Sequence, residues 1–288
     1  MKFICIREGY YGDVRDRVDA LRDACLYYKI DFEDLDSSNV DFSLLEIPNE
    51  KYFLYRVGIG ATYLESLFLT DRAITFYKNN TLMPYIQESA MFSLALEKKK
   101  VKSPKTIFNT TTDRQKLKNY VDYLGGFPII FKPLAGSKGM GVIKIESYHA
   151  LFSTLEFLHS KGIYGILREY IDTNRSLRVV VIGHKAICGT ETVGIGDEFR
   201  SNIDGYRTNQ PISITPELNK LATDAVKVLE LELGGVDIIQ SPDGYKVLEV
   251  NFPMGGIKYI SDLCAVDIAS AMIGYLLIKE KQDKNEPL

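Results

Sequence analysis

Three polar residues in the last fifth of the chain have the types and spacing of a metal site. Asp237 interrupts the apolar segment 235–239, and Glu249 and Asn251 alternate with apolar neighbours. Alternation puts Glu249 and Asn251 on one face of a strand, and the turn at 242–244 predicts a hairpin with the strand of Asp237. Carboxylate and amide oxygens suit Mg²⁺, and burying two carboxylates without a cation is costly. The alternative is a half-exposed hairpin whose polar side chains face solvent.

A lysine and a glycine-rich loop form a second group. Lys132 lies near the end of the apolar segment 127–133, and a loop follows that contains Gly136, Ser137, Lys138, Gly139, Met140 and Gly141. The lysine supplies a positive charge, and the glycines let backbone N–H groups approach phosphate oxygens. The loop lacks the Walker A pattern and joins two predicted strands. A plain glycine-rich hairpin is the alternative.

Two arginines are candidates for binding an anion. Arg178 lies in an apolar strand, and Arg200 precedes Ser201 and Asn202 in a predicted loop. An arginine fork can clamp a transferring phosphoryl group or a substrate carboxylate. A surface salt bridge explains either arginine equally well. An anionic donor could also be held by a wider set that comprises Arg56, Arg178, Arg207 and Lys258.

Two further patterns favour ordinary roles when they are taken alone. The segment 168–171 is a strand end that can offer backbone hydrogen bonds to adenine, although the pattern is weak. The run 98–100, Lys-Lys-Lys, is typical of a solvated helix end, where cations oppose the negative end of the helix dipole. The three histidines show no metal-ligand spacing.

The elements that position these residues follow from hydrophobic periodicity. A strand at 2–7, a helix at 13–29, a strand at 52–55 and a helix at 62–69 predict a small α/β domain with a parallel sheet. A helix at 85–99 follows, and then come predicted strands at 127–133, 142–145, 166–170, 177–182, 185–189, 235–240 and 245–250. Helices are predicted at 148–161 and 215–231, and the last ten residues are expected to be frayed.

Composition excludes several classes of protein. The 288 residues are 45% hydrophobic and 25% charged with a formal net charge of −3, which favours a soluble globular protein and gives no sign of nucleic-acid or membrane binding. The four cysteines are far apart, and the apolar run at the N-terminus is too short for a signal peptide. The expected location is the cytoplasm.

In their order along the chain, these motifs resemble the ATP-grasp superfamily and, within it, the RimK-type carboxylate–amine ligases. The matching stretches are PIIFKPLAGSKGMGVIKI, REYI, LRVVVIGHKAI, FRSN, and GGVDII followed by YKVLEVN. The resemblance implies an α/β protein with the ATP-grasp fold, in which two α+β lobes grip ATP. The expected organisation is an N-terminal α/β domain at 1–84, a central lobe at 85–170, a C-terminal lobe at 171–280 and a disordered tail at 281–288.

The resemblance also assigns roles residue by residue. Lys132, Arg178 and Arg200 are the implied catalytic residues. ATP would be bound by Lys132, Gly136, Ser137, Lys138, Gly139, Gly141, Glu169, Tyr170, Ser176, Arg200, Ser201 and Asn202. The metal, Mg²⁺ or Mn²⁺ in its place, would be bound by Asp237, Glu249 and Asn251.

Several positions depart from the family pattern. Ser89 stands where many relatives have a nucleotide lysine, Ser176 replaces an acidic residue near the ribose, and Thr192 replaces a basic residue after the hairpin. The segments after Asn202 and Asn251 also differ. The departures on the substrate side leave the donor and the acceptor open.

The implied activity is an ATP-dependent ligase that activates a carboxylate as an acyl phosphate and joins it to an amine. An amino acid, a peptide or a protein terminus would supply the reacting groups, and relatives suggest a homo-oligomer. The composition predicts no nucleic-acid or membrane partner. A phosphotransferase on the same fold and a non-catalytic nucleotide-binding protein are the alternatives, and Ser89 favours the latter.

Overall fold

The computed structural model describes residues 1–78, 89–134, 140–195 and 207–283, which form three β-sheets and their covering helices. The first sheet has the strand order β2-β1-β3-β4, and its pairs are parallel. Its elements are β1 (Lys2–Arg7), α1 (Gly12–Tyr27), β2 (Asp31–Asp36), β3 (Tyr52–Val57), α2 (Thr62–Phe68) and β4 (Ala73–Ile74). The predicted parallel sheet is therefore confirmed, and β2 is a strand that the sequence did not predict.

Strand burial explains why the first sheet could be predicted. β3 is buried along its whole length, as expected for a parallel strand that is covered on both faces. One face packs against α1 and the C-terminal helices, and the other packs against α2. β2 has the sequence DFEDLD and is only partly buried. It is rich in aspartate, which is depleted in strands, and it lacks the alternation of apolar and polar residues by which a strand is recognised in a sequence.

The second sheet is antiparallel with the order β5-β8-β6-β7. Its elements are β5 (Thr106–Ile107), α4 (Arg114–Leu124), β6 (Ile129–Pro133), β7 (Ile143–Ile145), α5 (Tyr148–Ser160) and β8 (Gly165–Glu169). Ile129 and Phe131 pack against α4 and α5. Alternation then places Ile130 and Lys132 on the opposite face of the sheet. The helix α4 was not predicted.

The third sheet has the order β11-β10-β9-β12-β13, with all pairs antiparallel. Its strands are β9 (Arg175–Ile182), β10 (Lys185–Gly194), β11 (Arg207–Ile212), β12 (Leu233–Ser241) and β13 (Gly244–Asn251). The helices α3 (Ser89–Lys98) and α6 (Pro216–Val228) cover one face. The opposite face packs, at one end, into the core that it shares with the first sheet.

A β-bulge determines which side chains of β13 face the helices. The register pairs Ile238 with Val247 but Asp237 with Glu249, so Leu248 is an extra residue in β13. Val247 consequently packs in the core under α6, whereas Glu249 is partly exposed. Without the bulge, strict alternation would place Val247 and Glu249 on one face. The bulge therefore releases Glu249 from the core.

Two helices complete the chain, α7 (Ile257–Cys264) and α8 (Ile268–Asp283). α8 continues to Asp283, so the tail predicted from residue 281 begins at least three residues too early; residues 284–288 lie outside the described chain. Within the described chain no single helix is long and apolar enough to span a membrane, and α7 with α8 pass that test only as a pair bent by 106°. The proposed domain boundaries stay predictions.

Candidate active site

A row of three charged residues crosses the third sheet. The strand register places Asp237 of β12 directly between Arg178 of β9 and Glu249 of β13. Arg178 Nη2 donates to Asp237 Oδ2 at 2.9 Å, and its Nε donates to Asp237 Oδ1. This two-point pairing fixes the planes of both groups, as an arginine fork does with a carboxylate.

Asn251 and Gly235 lie beside this row. Asn251 Nδ2 donates to Asp237 Oδ2 at 3.0 Å, which brings the three residues that were predicted to bind metal into one group. Arg178 crosses over Gly235: a Cβ added at Gly235 would lie 3.1 Å from Arg178 Cδ and Nη1. A glycine at this position therefore lets the arginine lie flat across β12.

Lys132 joins this group from the second sheet. Its Nζ lies 2.6 Å from Glu249 Oε2, and the two side chains are 23% and 32% exposed. The contact connects β6 to β13 across the gap between the sheets. The resulting chain of charges runs from Lys132 through Glu249 and Asp237 to Arg178, and all four side chains are partly exposed.

Burial is the largest influence on both carboxyl groups, and it raises the pKa of each. For Asp237 the attraction of Arg178 does not offset burial, and the charge of Glu249 adds to it, so the pKa of Asp237 lies above its ordinary value. For Glu249 the attraction of Lys132, with that of Arg178, outweighs burial, so the pKa of Glu249 lies below its ordinary value. A divalent cation between the two carboxylates would remove their mutual repulsion.

The donor set fits Mg²⁺ that is shared with a phosphate ligand. The described residues contain no group of three His, Cys, Asp or Glu side chains that could hold a metal ion. Asp237 and Glu249 supply two carboxylates, and Asn251 supplies the amide oxygen Oδ1. Mg²⁺ commonly takes one or two carboxylates and completes its coordination with substrate phosphates and water.

Glu169 and Tyr170, predicted at the adenine, lie at the end of β8. The Glu169 carboxylate accepts hydrogen bonds from Lys246 Nζ at 2.6 Å and from the Lys105 backbone N–H at 2.9 Å. The contact with Lys246 ties the second sheet to the third. The Tyr170 ring lies under Lys144 Nζ, 4.5 Å from the ring centroid. The side chain of Glu169 is thus bound within the protein, and an adenine contact would come from the backbone.

The sequence did not indicate the roles of Lys144, Lys246 and Arg168. Arg168 is buried and donates to Ser93 Oγ at 2.7 Å and to the Leu248 carbonyl at 3.3 Å. Burial lowers the pKa of its guanidinium group. Lys144 pairs in register with Ile130, so it belongs to the same inner face as Lys132. A lysine in the strand directly after the glycine-rich loop is the signal that would have identified Lys144.

The other predicted nucleotide residues are placed only in part. Ser176 lies two residues before Arg178 on the same face of β9. Gly141 has a φ of +79°, and a Cβ there would lie 3.0 Å from Pro133 Cγ, so glycine is required. The remaining predicted positions lie outside the described residues, namely Gly136, Ser137, Lys138, Gly139, Arg200, Ser201 and Asn202.

One member of the wider set proposed to hold an anionic donor, Arg56, is enclosed in the protein. Arg56 is only 1% exposed and donates through Nε to Glu65 at 2.7 Å, so its charge is used inside the first sheet. Lys258 pairs with Asp262 one helical turn along α7, at 2.9 Å. Arg178 binds Asp237, and the side chain of Arg207 lies outside the described residues.

Comparison with known proteins identifies the family. The family model for the RimK-like ATP-grasp domain matches residues 89–276, which is most of the chain. The chain belongs to this family. Its RimK-like ATP-grasp membership confirms both the resemblance read from the motifs and the predicted fold. It also confirms the predicted enzyme class, an ATP-dependent ligase that forms C–N bonds, and such ligases use ATP and Mg²⁺.

The relatives agree with this assignment. A protein from Picosynechococcus sp. named "Probable alpha-L-glutamate ligase" is 31% identical over 80% of this chain and 77% of its own length. A protein of the same name from Rhodopirellula baltica is 29% identical over 77% of this chain, and the match spans 56% of that longer relative. The solved structure of the ATP-grasp ligase PsnB with minimal precursor, Mg and ADP has a TM-score of 0.72 at 18% identity, covering 96% of each chain, which shows the shared fold.

Proposed function

We propose that this RimK-like ATP-grasp protein phosphorylates a substrate carboxylate with ATP and then transfers the acyl group to an amine. The observation that carries the proposal is the chain of charges from Lys132 through Glu249 and Asp237 to Arg178, with Asn251 beside it. It combines a cation that a phosphate can recruit with oxygen ligands for Mg²⁺ at one point between two sheets. Catalysis of phosphoryl transfer depends mainly on such positioning and charge neutralisation.

The proposed reaction has two steps. A carboxylate oxygen attacks the γ-phosphorus of ATP, the bond from that phosphorus to the β–γ bridging oxygen breaks, and ADP leaves. The amine nitrogen then attacks the acyl carbon, the C–O bond to phosphate breaks, and the amine loses its proton to solvent. Lys132 and Arg200 contact the phosphates in this proposal, and Arg178 holds Asp237 in the orientation that a metal ligand needs.

The proposed nucleotide site follows the residues predicted from the sequence. The backbone at Glu169 and Tyr170 lies at the adenine, Ser176 lies toward the ribose, and the loop that includes Gly141 covers the phosphates. Asp237, Glu249 and Asn251 hold Mg²⁺, which neutralises charge on the phosphate oxygens. Mn²⁺ accepts the same oxygen ligands and is expected to substitute.

For the substrates we propose an amino acid or a peptide, with L-glutamate as the first amine to examine. The support comes from the relatives that carry the name alpha-L-glutamate ligase. The cytoplasm is the proposed location, and all four cysteines are free thiols, as expected in a reducing compartment. A homo-oligomeric state also stays a prediction, and light scattering on the purified protein would test it.

Product analysis tests the reaction directly. The protein is incubated with ATP, Mg²⁺ and pairs drawn from a panel of amino acids and short peptides, and nucleotide products are separated. ADP and phosphate that form only when both a carboxylate and an amine are present would support the proposal. AMP with pyrophosphate would overturn the acyl-phosphate route. Hydroxylamine trapping separates the alternatives, because an acyl phosphate yields a hydroxamate and a stable phosphorylated product does not.

A further inference from the structure

A groove of about 740 Å³ lies outside the ATP site, between the segment that follows α3 and the helix α6. Its apolar floor is formed by Val101, Leu221, Val228 and Tyr245. The Val247 backbone N–H donates to the Lys102 carbonyl at 2.8 Å, so the segment is bound to β13. One wall of the groove is therefore formed by β13 and by the helix α6, which packs against the third sheet.

The groove lies on the opposite side of the third sheet from the charged row. Val247 belongs to the core under α6, and the bulge at Leu248 turns Glu249 to the other face. A ligand in the groove would thus be separated from Asp237 and Glu249 by the sheet itself. Binding there and chemistry at the charged row can be measured independently.

The rim of the groove is strongly basic, although the whole chain has a net charge of −3. The rim has six lysines and three acidic residues, which are Lys78, Lys99, Lys100, Lys102, Lys220, Lys227, Glu217, Asp224 and Glu230. Among the described residues, only Lys220 of these lysines has an ion-pair partner, Asp224 at 2.6 Å. The other five lysines are exposed, and their charges are available to a partner.

The end of α3 places Lys100 beside the groove. The φ of Lys100 is +58°, the left-handed conformation that follows many helices and that glycine adopts with least strain. Its N–H donates to the Glu97 carbonyl at 2.9 Å, and the Val101 N–H donates to the Leu96 carbonyl at 2.9 Å, which closes the end of α3. This turn places Lys100 at the border of the groove.

We propose that this groove binds an acidic segment of a peptide or protein, whose carboxylates pair with the lysines while an apolar side chain rests on the floor. The proposal rests on the proposed function only in treating this segment as part of the ligase substrate. The apolar floor favours a peptide over nucleic acid, because an apolar side chain of a peptide can rest on it while a charged phosphate backbone cannot. Exposed lysines around an open groove also favour an extended ligand over a single small anion.

The binding test uses the full chain and a fluorescein-labelled twelve-residue peptide of ten glutamates and two leucines, measured by fluorescence anisotropy at about 0.1 M salt. The groove variant is K99E/K100E/K227E. The matched control is K29E/K118E/K161E, which changes the net charge equally at exposed lysines that do not line the groove. Thermal melts of all three proteins confirm that they are folded. We expect the groove variant to bind at least tenfold more weakly and the control to bind within about twofold of the unchanged protein.

Three results would overturn the proposal. Equal losses in the two variants would show a response to net charge alone. Equal binding of a peptide with glutamine in place of glutamate would show that the lysines are not used. The groove would be assigned to nucleic acid if a twelve-nucleotide single-stranded RNA bound more tightly than the peptide and if the groove variant lost that RNA binding.

A second measurement separates this proposal from the proposed function. ADP formation is followed with free amino acids and with the acidic peptide as substrates. If ligation is real, the groove variant keeps its turnover of free amino acids and shows a raised KM for the peptide. Absence of ADP formation with every substrate would refute the ligase, while anisotropy would still report on the groove.

Discussion

Two ion pairs in this protein look alike in sequence and differ in their surroundings. Arg56 and Lys132 each interrupt an apolar strand near its end, in YFLYRV and IIFKP. Arg56 pairs with Glu65 inside the first sheet, where the two side chains are 1% and 2% exposed. Lys132 pairs with Glu249 between two sheets, where they are 23% and 32% exposed. Burial therefore distinguishes them where residue type does not.

The partners of each pair show what the difference means. The Arg56 guanidinium also donates to the Gly58 carbonyl, and Tyr77 Oη donates to Glu65 at 3.2 Å. All of these groups belong to one closed network with no room for a ligand. Lys132 and Glu249 come from different sheets and remain accessible, so a phosphate or a cation can replace either partner. The first pair stabilises the fold, and the second is available for chemistry.

The substitution Glu65→Gln gives the largest expected effect on stability. It leaves the Arg56 charge buried without a counter-charge, and breaking a buried pair in this way typically costs about 3–5 kcal/mol. Urea unfolding would measure the loss. The matched control is Glu33→Gln, because Glu33 pairs with Lys2 at 2.8 Å on the exposed surface of the same sheet. That variant should change the free energy of unfolding by less than about 1 kcal/mol. Equal losses in the two variants would remove the distinction between a buried and an exposed pair.

The substitution Glu249→Gln should separate activity from stability. It removes a carboxylate from the proposed metal site, and losing one charge-stabilising group commonly lowers kcat by about 10²–10³-fold. The free energy of unfolding should change little, because removing Glu249 also relieves its repulsion of Asp237. ADP formation and urea unfolding measure the two quantities on the same sample. A variant that unfolds as easily as Glu65→Gln would assign Glu249 to the fold.

Part of this site could be predicted from the sequence because it depends on local spacing. Alternation within β13 placed Glu249 and Asn251 on one face, and the turn predicted that their strand pairs with the strand of Asp237. The turn register alone would pair Asp237 with Leu248, so the bulge is what brings Glu249 and Asn251 to the side of Asp237. The separation of Val247 from Glu249 was not predictable, because it depends on a bulge at Leu248 that has no marker in residue type. Strict alternation therefore predicts correctly that Glu249 and Asn251 share a face, but it wrongly places Val247 on the same face.

The remaining features required the packing of distant elements. Whether Arg56 or Lys132 is buried depends on what covers each strand end, and Glu65 and Glu249 reach them from a helix and from another sheet. Arg168 appeared to belong to an adenine motif but joins the second and third sheets through Ser93 and the Leu248 carbonyl. Contacts between sheets of this kind leave no periodic signal in one sequence.

The substitution Lys132→Met should weaken use of ATP by a smaller factor. Methionine keeps most of the side-chain volume and removes the charge that the phosphates are proposed to recruit. We expect kcat/KM for ATP to fall about 10–100-fold, which corresponds to roughly 1.4–2.7 kcal/mol. Lys132→Arg, which retains the charge, should recover part of this loss. Unchanged kcat/KM in Lys132→Met would place Lys132 outside the nucleotide site and leave its pair with Glu249 as a link between sheets.

The substitution Gly235→Ala probes the geometry that supports the charged row and has the smallest expected effect. The added methyl group would lie 3.0 Å from Met254 Cγ and 3.1 Å from Arg178 Cδ, so Arg178 must shift from its two-point contact with Asp237. Overpacking of this kind costs about 1–3 kcal/mol, and a few-fold loss of kcat with unchanged KM for ATP is expected from the displaced arginine. The control is Gly274→Ala in α8, where the nearest atom, Tyr28 Oη, is 3.3 Å away and a helical alanine is favoured by about 0.5–1 kcal/mol. If Gly235→Ala lowers stability while kcat is unchanged, Arg178 belongs with Arg56 among the residues that hold the fold, and its contact with Asp237 has no part in catalysis.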